Sequence, residues 1–311
     1  MSAATPASQP DMSVMVGSLA FANPIMTASG TSGHGSELAP YGDLARLGAV
    51  VVKSLAPYEW AGNPAPRVHP TPQGMINAVG LQGAGVQRWI HEELPALAAT
   101  GARVVLSIWG RSVADYAAAA EQVAAIGSAV AAVEVNLSCP NLEGRRGIFA
   151  HDPALSAEVM AATAVCGRPR WGKLSPNTDR LVEVAAAVHE AGAEAVTLIN
   201  TLLGMVIDPV TRRPALGNGG GGLSGRAIHP IAVRAVYDVH AALPTLPIIG
   251  VGGVASGWDA AELMLAGASA VQVGTATFAD PRAPWNVLEQ LQLWAAGEGI
   301  TTLRQLTGAT G

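Results

Sequence analysis

Several polar residues in this chain stand where an ordinary protein core has little use for them. Lys53 closes the apolar run 49–53 (AVVVK), and Lys173 falls at the end of the run 171–174 (WGKL). Asn136 ends the run 132–137 (AVEVNL) with Cys139 just beyond it, and Asn200 with Thr201 closes the run 195–200 (AVTLIN). A lysine at the end of a hydrophobic strand carries charge to the edge of a core, which is costly unless a ligand or an acid meets it. Two such lysines with asparagines between them suit a flat polar ligand that gains negative charge. The plainer alternative is a pair of rim lysines, each held by an Asp or Glu.

A reduced flavin is one ligand of that kind, because a cation near its pyrimidine edge stabilises the anionic form. The segment 136–141 (NLSCPN) adds a thiol just past a strand end and before a proline. A thiol placed there can act as nucleophile, metal ligand or general base. No second cysteine or paired histidine lies at ligand spacing, so no metal site is expected. Cys166, in AVCGRP at a helix end, reads as a packing residue, and the seven histidines form no constellation and read as surface or structural. Glycines gather in Gly250-Val251-Gly252-Gly253 and in Gly274-Thr275. Such turns either serve tight geometry or leave backbone N–H groups bare for a phosphate. Their spacing is not the dinucleotide fingerprint, so no internal NAD site is expected.

The elements that carry these residues repeat. Short apolar runs at 24–28, 49–53, 103–108, 132–137, 171–174, 195–200, 247–251 and 270–274 alternate with alanine-rich helical stretches such as 113–126 and 178–191. Alternation of this kind implies a parallel sheet. Eight repeats make a closed (β/α)8 TIM barrel the natural reading, with an open doubly wound sheet as the alternative. The segments 54–85 and 202–226 are too long for simple connections, and both follow strand ends on the face where barrels place their active sites. They are expected to be inserted active-site loops.

Composition sets the remaining bounds. A length of 311 residues, half of them apolar, suits one barrel with insertions. Residues 1–14 read as a disordered lead and 15–311 as a single domain. Net charge is −5 without a basic run, which argues against nucleic acid. No stretch reaches the ~18 uninterrupted apolar residues of a membrane span. Two cysteines and no secretory pattern imply a reducing compartment, with cytoplasm as the default.

In order and placement, the segments TASGT (27–31), GMINAVGLQ (74–82), NLSCPN, KLSPN (173–177), INT (199–201), GNGGGGLSG (217–225), IIGVGG (248–253) and ASAVQVGTA (268–276) resemble the class 1 dihydroorotate dehydrogenases, over about residues 15–280. The resemblance implies FMN with its phosphate at Gly252, Gly253, Gly274 and Thr275. Its ring would meet Ser29, Lys53, Ser54, Asn136, Lys173, Ile199 and Gly225. Orotate would be held by Lys53, the loop of Asn77, Ala78, Val79, Gly80 and Leu81, and by Asn136, Asn200 and Thr201. Cys139 takes the position of the class 1 base, where class 2 has serine, and the amphipathic membrane helix of class 2 is not expected here. On this reading Cys139 removes the C5 proton of dihydroorotate while hydride passes from C6 to flavin N5. Residues 140–152 would act as a lid.

The stretch ending in GIFAHDP resembles the NAD-linked B type more than the fumarate-using A type. The B type implies a second subunit carrying FAD and a 2Fe–2S cluster, in a homodimer or heterotetramer. Some positions depart from the family: Ser107 stands where an asparagine touching the flavin is usual, Gly83 replaces asparagine and Ser54 replaces threonine. Three rivals share parts of the pattern. A dihydropyrimidine dehydrogenase-like barrel would reduce uracil or thymine. A tRNA dihydrouridine synthase would need a basic surface, which is missing. A barrel that only binds phosphate would hold no flavin.

Overall fold

The apolar runs become strands that are buried on both faces, as parallel strands between helices must be. In the computed structural model, which describes residues 9–138, 140–141 and 147–310, these strands are β1 (Ile25–Thr27), β2 (Val50–Val51), β3 (Val104–Ile108), β4 (Ala132–Asn136), β5 (Arg170–Lys173), β6 (Ala195–Leu198), β7 (Ile248–Val251) and β8 (Ala270–Val273). Every residue of β3, β4, β6, β7 and β8 is buried.

All pairings in this sheet are parallel, in the order β1-β8-β7-β6-β5-β4-β3-β2. A parallel bridge between Met26 and Ala49 joins the two ends, so the sheet is a closed eight-stranded barrel rather than an open one. The seam is short of ladder bonds, and side chains complete it. Thr27 Oγ1 accepts the Val51 N–H at 2.9 Å, and Ser32 Oγ donates to the Val51 carbonyl at 3.1 Å.

Helices cover the outside. In helix Val113–Ala124 the buried residues Tyr116, Ala119, Ala120 and Val123 form one stripe, and the Ser112 side chain caps its N-terminus. The floor of the barrel is covered by the hairpin Val14–Val16/Leu19–Phe21, whose Phe21 ring meets Trp171 edge to face at 6.0 Å. Asp11 already exchanges backbone bonds with Thr301 and Leu303, so the described fold begins ahead of residue 15, the boundary expected from composition. Residues 1–8 lie outside the described set.

The two long insertions are not separate loops. Strands Val68–Thr71, Gly74–Asn77, Gly221–Ser224 and Leu202–Gly204 build one antiparallel sheet, with Gly74–Asn77 paired to Gly221–Ser224 at its centre. Glycine is required where these strands press together. A Cβ on Gly74 would lie 1.9 Å from the Ser224 carbonyl oxygen, and one on Gly222 would lie 2.0 Å from Thr201 Oγ1.

Candidate active site

A cavity of about 640 Å³ opens at the C-terminal ends of the barrel strands, with the inserted sheet as one wall. Its lining includes Ser29, Lys53, Ser54, Asn136, Lys173, Ile199, Asn200 and Thr201 from the strand ends. Asn77, Ala78, Val79, Gly80 and Leu81 line it from the first insertion, and Gly225, Gly252, Gly253, Gly274 and Thr275 from the glycine turns. Every residue expected to bind the cofactor or the substrate that falls on described positions is therefore in one place. Cys139 and residues 142–146 lie outside the described residues. What is described of the segment 140–152 includes a two-stranded hairpin, Pro140–Asn141 with Gly147–Ile148, and Ile148 lines the cavity. Lys53 and Asn200 stand two residues beyond the ends of β2 and β6, not within them as expected, because the ladder stops before the chain turns into the insertions.

The glycine turns form a backbone cradle. Gly253 has φ +71°, and a Cβ there would lie 2.6 Å from the His229 Cβ; on Gly252 it would lie 2.7 Å from the Ala232 Cβ. Among the described residues, the N–H groups of Gly252, Gly253, Gly274 and Thr275 donate to no protein acceptor. The same turns face the start of helix His229–Ala242. Bare N–H groups beside a helix N-terminus are a site for a phosphate. Thr275 Oγ1 donates to Ser224 Oγ at 2.8 Å, tying this cradle to the inserted sheet.

The loop 77–81 is held in place through its carbonyls. Asn63 donates through Nδ2 to the Ala78 carbonyl at 3.2 Å and through its backbone N–H to the Val79 carbonyl at 3.1 Å. Trp60 Nε1 donates to the Gly80 carbonyl at 2.9 Å. With three successive carbonyls engaged, the N–H groups of Val79, Gly80 and Leu81 meet no acceptor among the described residues. Gly80 and Leu81 both have positive φ, +73° and +62°.

Below the rim, Ser54 Oγ lies 3.2 Å from Ser29 Oγ and 2.8 Å from Ser107 Oγ, and it accepts from Asn136 Nδ2 at 3.2 Å. Tyr116 Oη fixes the Asn136 carbonyl at 2.6 Å. Ser107 does not line the cavity. It is fully buried and supports Ser54, so its short side chain acts one layer beneath the position expected of a flavin contact. Lys173 is both a rim lysine and a paired one: its Nζ is 3.6 Å from Glu134 Oε1, with the glutamate fully buried. The imidazole of His34 is held below its usual range by burial first and then by the Lys53 ammonium. Among the described residues no group of three or more His, Cys, Asp or Glu could hold a metal, and no helix is long and apolar enough to cross a membrane.

Sequence reasoning missed four supporting residues: Glu134, Trp60, His229 and Asn177. His229 donates through Nδ1 to the Gly252 carbonyl (2.8 Å) and places its Nε2 3.1 Å from Glu262 Oε2, bracing the cradle. Asn177 bonds the Thr201 carbonyl and the Leu203 N–H, locking the β6 turn. A glutamate at the centre of AVEVN was the readable signal among these; a histidine starting a helix is too ordinary to be one.

Residues 12–294 match the family model described as dihydroorotate dehydrogenase. The chain belongs to that family. Relatives agree over nearly the whole length. The protein named dihydroorotate dehydrogenase B (NAD(+)), catalytic subunit, of Trichlorobacter lovleyi is 46% identical over 302 residues, covering 97% of this chain and 99% of its own. The proteins of that name from Geotalea uraniireducens and Geobacter sp. are 45% and 44% identical, each covering 97% of this chain and 98% of its own. Family membership fits both the barrel and the convergence of the strand-end residues.

Proposed function

We propose that this chain oxidises dihydroorotate to orotate in pyrimidine biosynthesis, with FMN in the cavity and Cys139 as general base. The observation that carries the reading is the convergence of two lysines, three asparagines and a four-residue N–H cradle on one cavity. The residues fit FMN: the cradle offers donors where a Cβ would intrude, and the volume falls in the range of ~300–1,000 Å³ usual for cofactor sites.

When bound, FMN supplies the two-electron acceptor that takes the hydride from C6 of the substrate. Gly252, Gly253, Gly274 and Thr275 would hold its phosphate, and Ser29, Lys53, Ser54, Asn136, Lys173, Ile199 and Gly225 would meet its ring. Asn77, Asn136, Asn200 and Thr201 pair with the amide edges of the pyrimidine. Lys53 and the N–H groups of Val79, Gly80 and Leu81 receive its carboxylate. Cys139 takes the C5 proton, and residues 140–152 exclude water from that step.

A partner subunit carrying FAD and a 2Fe–2S cluster would supply the route from this site to NAD as the final acceptor, in a cytoplasmic heterotetramer. Two cysteines cannot ligate such a cluster, which supports a second chain. The test compares dihydroorotate with dihydrouracil as reductants of the flavin-loaded protein. Faster reduction by dihydroorotate is expected. A preference for dihydrouracil would reassign the chain to dihydropyrimidine chemistry.

A further inference from the structure

Glu134 is a charged residue in the middle of β4, fully buried, two positions before Asn136 on the same face of the strand. Its Oε2 accepts hydrogen bonds from Gln272 Nε2 on β8 at 2.8 Å and from Thr197 Oγ1 on β6 at 3.1 Å. Its Oε1 has no hydrogen bond and faces the Lys173 ammonium at 3.6 Å. The glutamate itself does not line the cavity; the lysine does. Alternate strands β4, β6 and β8 thus contribute one interior layer, as barrels do, but here the layer is polar. A carboxylate removed from water is costly and survives only with strong partners. Here two of its three partners fix its position and leave the third, the ammonium, to answer its charge.

We propose that Glu134 is a positioning residue that sets how strongly Lys173 favours reduced over oxidised flavin. The inference rests on the reading that FMN occupies the cavity with Lys173 at its ring. Anchored at Oε2, Glu134 holds the ammonium at the rim and offsets its charge from within the barrel. The cation that meets the ring is therefore partly compensated. Removing the negative charge at constant shape leaves Lys173 to be answered by the flavin alone, and the reduced anionic form gains.

The experiment measures the two-electron midpoint potential of the purified FMN-loaded chain and its affinity for sulfite, which adds to flavin as an anion. In Glu134→Gln the equilibrium is expected to favour reduced flavin at least about tenfold more, an upward shift of ~30 mV, with tighter sulfite binding. Thr197→Val removes one bond to Glu134 without changing charge and is expected to leave the potential near that of the wild type. Should Glu134→Gln yield no folded flavoprotein, Glu134→Asp carries the test: it draws the carboxylate back from Lys173 and gives a smaller upward shift.

An unmoved or lowered potential in the flavin-bound variant overturns the inference while leaving the proposed function standing. An equal shift in Thr197→Val also overturns it, because disturbed packing would then explain both. A wild-type chain that takes up no FMN removes the proposed function itself.

Discussion

Trp60 and Gly80 are joined by a hydrogen bond from the indole Nε1 to the glycine carbonyl at 2.9 Å. The same tryptophan exchanges both backbone bonds with Gly83, at 2.8 and 3.0 Å. The loop 77–81 is thereby clamped on the side away from the cavity, and the N–H groups of Val79, Gly80 and Leu81 are left for a ligand. Trp60→Phe keeps most of the ring and loses the donor. One hydrogen bond contributes about 1 kcal/mol, so the KM for dihydroorotate is expected to rise roughly fivefold, with FMN content unchanged. Steady-state kinetics with flavin quantitation checks this. An unchanged KM would mean the clamp does not shape the substrate site.

The glycine cradle makes a separate demand. Gly253→Ala forces a side chain into left-handed backbone, which costs about 1–2 kcal/mol, and sets its Cβ against His229. FMN affinity is expected to fall at least about tenfold, since each 1.4 kcal/mol of lost binding is tenfold. Quenching of flavin fluorescence on binding measures it. Wild-type affinity in a folded variant would place the phosphate elsewhere.

Cys139→Ser tests the base. A serine hydroxyl is a far weaker proton acceptor than a thiolate, and a positioned base contributes about 10²–10⁴-fold. The variant is expected to keep FMN and to lose turnover by that order at neutral pH, as read by stopped-flow reduction. Wild-type turnover would remove Cys139 from the mechanism.

Acid should weaken the fold through His34. Burial, aided by Lys53, holds this imidazole below its usual range in the native state, so the unfolded chain binds the proton more readily. The native state then loses stability as pH falls from about 6.5, the unfolded value, toward the lower native one. The thermal midpoint is expected to fall more steeply below pH 6.5 in the wild type than in His34→Gln. Equal slopes would show that His34 does not carry the effect.

The barrel was legible because strands buried on both faces read as largely apolar runs, and because Lys53, Asn136, Lys173 and Asn200 fall at or just beyond their ends. The roles inside the site were harder to read. Pairing of Gly74–Asn77 with Gly221–Ser224 joins residues far apart in sequence through a glycine-rich strand that has no alternation to announce it. Trp60 acts through its N–H rather than its ring face, and Ser107 acts through Ser54, so residue type alone points to neither. Glu134 was visible as a lone acid in an apolar strand, but its partner Lys173 lies on the neighbouring strand, and only the register reveals the pair.

The strand-end cavity is expected to hold FMN where dihydroorotate can reduce it. Anaerobic titration of the purified yellow protein with dihydroorotate tests this directly. The flavin absorption band is expected to bleach in proportion to added substrate, with orotate appearing in equal amount. A band unmoved by excess dihydroorotate, in protein carrying a full complement of FMN, would contradict the account.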